Sequence, residues 1–123
     1  MMPRTARILA VALLAPLLLA AGEDPTKRKV TVTHYGYPND TQASANTRLG
    51  LGDHNNILNA DSVAVSPDLD QAFPFGSRIV VSGQFVGSRH DTTNPSWRNT
   101  IAVYDPAGKF KHAFEGYVEF AAK

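Results

Sequence analysis

Apolar and polar positions alternate most clearly in "KVTVTHY", residues 29 to 35, with the period of a half-buried strand. Val30, Val32 and His34 share one face, and Thr31, Thr33 and Tyr35 the other. "SVAVS" at 62 to 66 is a second clear strand, "RIVVSG" and "QFVGSR" are two strands meeting near Gly83, and "TIAVYD" and "GYVEFA" complete the set. Strands are therefore expected near 29–35, 62–66, 78–82, 84–89, 100–104 and 116–121. "PDLDQAF", 67 to 73, fits one short helical turn starting near Ser66 or Asp68. "PFGS" is a turn signal, and "DPAG" is a tight turn with Pro in its second position. Residues 36 to 61 are rich in Gly, Asn, Asp, Ser and Thr, and so long an irregular segment in a compact domain is often functional. Neither an amphipathic helix of ordinary length nor an internal repeat is present. Short strands punctuated by turn chemistry point to an all-β barrel or sandwich.

The N-terminal residues break this pattern. Arg4 and Arg7 precede the apolar run "ILAVALLAPLLLA", and "AAG" supplies small residues at 20 to 22. That three-part pattern predicts a secretory signal peptide over 1–22, with cleavage just before Glu23, and the run is too short for a transmembrane span. A flexible tail is expected over 23–28 and one domain over 29–123. Residues 1–22 hold two of the 12 Lys+Arg and none of the 11 Asp+Glu, leaving 10 − 11 = −1 with neutral His. "KRK", 27 to 29, is a solvated lead-in to the first strand, so no nucleic-acid partner is expected. The chain contains no cysteine, which excludes disulfides, thiolate nucleophiles and Cys-based metal sites. It also excludes a lipidated cysteine at the cleavage point. These features predict a bacterial periplasmic or secreted protein that is soluble and monomeric, with no stable membrane anchor.

"SVAVSPDLDQAFPFGSRIVVSG" followed by "HDTTNPSWRNTIAVY" resembles the 3D domain, named for three aspartates, and the opening "THYGY" is similar to the start of such domains. The resemblance implies an all-β fold, a small six-stranded double-psi β-barrel, of the kind carried by bacterial cell-wall enzymes such as membrane-bound lytic transglycosylases. The rare-lipoprotein-A family is a related barrel with a similar "PFG" turn. Carried over by position, the second family aspartate falls on Asp91, the third on Ala102 and the first on Ser66. The 66-to-74 connection is longer than usual, which leaves room for Asp68 or Asp70 to supply a carboxylate. Peptidoglycan is the implied partner, and no cofactor is implied.

The resemblance and the residues together set two functional expectations. One is a cell-wall-associated domain that binds or acts on peptidoglycan, with its chemistry impaired because Ala102 replaces the third acid. The other is an active glycan-cleaving enzyme of the lytic transglycosylase type, using Asp91 with Asp68 or Asp70 as the catalytic set. Glycosidic cleavage needs a proton donor of raised pKa, which burial or a neighbouring carboxylate would provide. Asp91 also fits a plainer role, capping the next loop through the Thr92 or Thr93 amide. Trp97, Arg98, Tyr35 and His34 are the candidate substrate-binding residues. Trp97 either stacks on a sugar or plugs one end of the fold, and Arg98 either holds a substrate carboxylate or is solvated. His34 and His54 lie where they could approach Asp91, but no H-x-x-x-H spacing exists and no metal is expected.

Overall fold

The computed structural model describes residues 26–119. Six strands account for the regular structure: β1 (Lys27–Tyr35), β2 (Ser62–Val65), β3 (Arg78–Val81), β4 (Gln84–Thr92), β5 (Thr100–Tyr104) and β6 (Phe114–Glu119). One short helix, α1 (Ala45–Arg48), and 3-10 turns at Asp53–Asn55 and Pro67–Leu69 interrupt the loops. The expected signal peptide lies outside the described residues. β1 begins at Lys27, so the last two residues expected in a flexible tail are paired, Lys27 with Glu119 and Arg28 with Val118.

From neighbour to neighbour the strand order is β1-β5-β2-β4-β3-β6, and β6 returns to β1. The β1–β5 and β2–β4 pairs are parallel and the others antiparallel. A two-residue turn at Ser82 (φ 49°) and Gly83 (φ 83°) joins β3 to β4. Positive φ at both positions gives the backbone twist that a tight hairpin requires. The expected double-psi β-barrel is corrected to a coarser description, a small mixed six-stranded β-domain wrapped around one core. The junction that decides this is β3 with β6. Among the described residues their ladder has a single pair, Val81 with Val118. A regular barrel wall is defined by a staggered ladder between every neighbouring pair of strands.

Alternation fills the core. Val30 and Val32 from β1, Ile79 and Val81 from β3, and Val118 from β6 point inward, with Val63, Val65 and Ile101 completing the centre. Leu69 and Phe73, from the turn after β2, close one side. β2 is buried along its whole length, as is the first part of β5. The outer face of these strands is covered by the irregular segment 36–61, whose residues surround Ala102. Gly52 of that segment packs so closely that a Cβ there would lie 2.3 Å from the His90 carbonyl oxygen. The segment is thus packed against the sheet as a second layer.

Candidate functional site

Strand pairing fixes the centre of the site. Ala64 of β2 is opposite Asp91 on one side and Ala102 on the other, so these residues sit across three adjacent strands. β4 runs on to Thr92, and Asp91 is therefore a strand residue, 8% exposed, not the start of a loop. Its carboxylate accepts the Thr92 N–H at 2.9 Å and the Tyr35 hydroxyl at 3.0 Å. The Thr92 bond is the capping contact expected of a strand-end Asp. Burial pushes the Asp91 carboxyl above its ordinary value, and the charge of Asp53 adds to this. The Thr92 and Tyr35 bonds oppose the shift without cancelling it. The Tyr35 phenol is itself raised, by burial first and then by the Asp91 charge.

The carboxylate brought to Asp91 is Asp53, from the irregular segment. Its Oδ2 accepts from the Thr92 hydroxyl at 2.7 Å and from Arg89 Nη2 at 3.2 Å. Arg89 is buried on β4 and fully used. Nε donates to the Asp91 carbonyl, Nη1 to Asp70 and to the Phe73 carbonyl, and Nη2 also to Thr92 Oγ1. Asp70 is therefore an exposed ion-pair partner of Arg89, and Asp68 is occupied elsewhere. Asp68 accepts the Asn99 N–H at 3.0 Å and faces Arg28 at 3.7 Å, which ties the 93–99 loop to the turn after β2. Neither is among the groups that perturb Asp91. At Ser66, the position of the first family acid, a buried hydroxyl accepts the Thr100 N–H at 2.9 Å. His90 turns away to Ser62 Oγ at 2.8 Å. His54 is at the tip of a hairpin, edge-on to Phe75.

Beside this network lies a cavity of about 360 Å³. Its lining comes from β1 and β5 (His34, Tyr35, Ala102), from Thr92, Thr93, Asn94, Pro95 and Trp97, and from the irregular segment, Tyr37 and Thr47 among them. Three of the four expected binding residues line it, namely His34, Tyr35 and Trp97. Arg98 is exposed and outside the lining. Asp91 is not among the lining residues, and the Tyr35 hydroxyl donates to its carboxylate. Asp40 is committed to the wall, accepting the N–H groups of Gly36 and Gln42 at 2.7 and 3.0 Å.

His34 is the most constrained group in the cavity. Its Nδ1 is 2.8 Å from Asp105 Oδ2, and its ring stacks on Tyr37 at 4.1 Å and on Phe110 at 5.0 Å. Asp105 follows β5 and accepts the backbone N–H groups of Lys109 and Phe110 in the turn beyond. Burial raises its carboxyl, but the hydrogen bonds from His34, Phe110 and Lys109 outweigh that, and the net shift is downward. Nothing in the sequence marks this pair, because His34 is opposite Val103 in the parallel β1–β5 ladder and Asp105 lies just beyond the end of β5. Asp53 and Arg89 were missed too, since nothing local in "LGDHNN" or "GSRH" marks them as partners.

Among the described residues no group of three or more His, Asp or Glu side chains is placed to hold a metal ion, and no helix is long and apolar enough to cross a membrane. No protein-family model, curated protein or solved structure matches the chain. The resemblance to the 3D domain is corrected accordingly. It rests on short motifs, and two of the three acid positions hold Ser66 and Ala102, one bonded to the backbone and the other a fully buried alanine.

Proposed function

We propose that the domain is a secreted glycan-binding module whose cavity takes a sugar of the bacterial cell wall, peptidoglycan being the polymer of interest. The observation carrying this reading is the composition of the cavity. Trp97 and Tyr37 offer flat apolar surface, and Gln42 and Asn94 offer amides. Few oriented polar groups among aromatic surfaces suit a neutral sugar ring. Position 102, where the resemblance would place an acid, holds alanine, and among the described residues Asp40 is the one carboxylate in the cavity lining, committed to backbone N–H groups. The test is sedimentation of the protein with purified sacculi. Trp97→Ala should lose most of the bound fraction while keeping the melting temperature within a few degrees. Equal binding by both forms would overturn the reading.

Glycan cleavage through Asp91 is the second reading, favoured by one observation, the raised carboxyl next to Asp53. Against it stand the Tyr35 hydroxyl over Asp91 and the burial of that carboxylate. Zymography on sacculi separates the two readings. Clearing that disappears in Asp91→Asn would establish cleavage, and its absence from the natural protein would leave binding alone.

A further inference from the structure

We propose that His34 and Asp105 form a general-base centre in the cavity, and that it hydrolyses an O-acyl ester on the sugar bound there. The inference rests on the glycan-binding reading and adds a reaction to it. An ionised Asp105 accepts the Nδ1–H of His34, which leaves the lone pair on Nε2. Tyr37 and Phe110 cover the two ring faces, so the edge carrying Nε2 is the part the ring presents to the cavity. Nε2 has no hydrogen-bond partner among the described residues. A carboxylate that fixes the tautomer, a clamped imidazole and a free basic nitrogen facing a cavity make up the base half of acyl-transfer machinery.

The surroundings select the reaction. Among the described residues no Ser, Thr or Tyr hydroxyl is hydrogen-bonded to His34, so the base acts on water and not on a protein nucleophile. Glycosidic cleavage would call on carboxyl groups, and those nearest the cavity are committed, Asp40 to backbone N–H groups and Asp91 to Tyr35 and Thr92. Ester hydrolysis calls on a base and no carboxylic acid, and the base is what the cavity supplies. Nε2 removes a proton from water as the water oxygen adds to the acyl carbon. When the tetrahedral intermediate collapses, the bond from the acyl carbon to the sugar oxygen breaks, and that oxygen takes the proton back from Nε2. The products are a carboxylic acid and the free sugar hydroxyl. No oxidant, metal or cofactor is consumed.

The experiment uses the natural protein with an O-acetylated muropeptide and the same compound after chemical removal of the acetyl group. Binding of both is measured by calorimetry and acetate release by an enzymatic assay. Release by the natural protein that falls about 10²-fold or more in His34→Gln, with binding retained, is the expected result, since general-base catalysis contributes factors of this size. Asp105→Asn keeps the shape but loses the carboxylate that fixes the imidazole tautomer. It should lower kcat for release while leaving KM and binding unchanged, a split that a purely structural role would not produce. Binding without release in the natural protein, or release unchanged in His34→Gln, overturns the inference and leaves the binding reading standing. Neither binding nor release removes both.

Discussion

Replacing Arg89 with methionine tests whether the polar network holds the irregular segment on the sheet. The guanidinium is 5% exposed and makes five hydrogen bonds. The Asp70 contact counts for little, because that side chain is 57% exposed and exposed ion pairs contribute about 1 kcal/mol or less. The remaining bonds reach two carbonyls, Thr92 Oγ1 and Asp53. Methionine fills most of the volume but leaves the two carbonyls short of a donor, and Asp53 faces Asp91 with no cation between them. Removing one partner from a buried charged network costs about 3–5 kcal/mol. For a domain of this size that is a fall in melting temperature of roughly 15–30 °C. Thermal unfolding followed by circular dichroism, with urea titration as a check, measures it. Asp70→Asn, the control, should change stability by about 1 kcal/mol or less. A loss below about 1 kcal/mol for Arg89→Met would show that the segment is held by apolar packing alone.

Gly52→Ala should cost more than about 2 kcal/mol, because the new Cβ meets a backbone carbonyl that cannot move aside; urea midpoints read this directly. Asp105, whose carboxyl is lowered from its ordinary 3.8, stabilises the fold above that value, and the contribution is lost as pH falls through its folded pKa. Asp105→Asn should therefore be less stable than the natural protein near neutrality, with the difference shrinking on acidification to about pH 2, as followed by urea midpoints across pH. Asp91 has the opposite sign. Its carboxyl is raised above 3.8, so its contribution is present below that value and lost as pH rises through the folded pKa. Asp91→Asn should match or exceed the natural protein in melting temperature at neutral pH, and a clear loss there would contradict the burial argument.

Strand positions were readable from the chain because the alternation in "KVTVTHY" and "RIVV" has a single cause, one face on a shared core. The turn at Ser82 and Gly83 and the loop closed by Asp105 and Gly108 were equally local. The second layer was not readable. Its attachment depends on Asp53 reaching Arg89, two residues 36 apart whose neighbours in sequence carry no matching signal. His34 and Asp105 are 71 residues apart and meet only because β1 and β5 pair in parallel. The functional expectation formed around Asp91 and Ala102 searched for missing partners in Asp68 and Asp70, whereas the carboxylate brought to Asp91 is Asp53.

The two layers divide the chemistry of the site between them. Asp91 is held under Tyr35, in contact with a segment whose Asp53 discourages its ionisation, and its hydrogen bonds keep both oxygens occupied. An acid so placed belongs to a packing interface more than to a ligand site. His34 is on the opposite footing, with one nitrogen spent on Asp105 and the other unspent at the cavity. Alanine at 102 fits this division. The position is fully enclosed, so a carboxylate there would be buried and held in its neutral form. On the proposed reading the proton-exchanging group is on β1, and alanine at 102 does not mark a lost function.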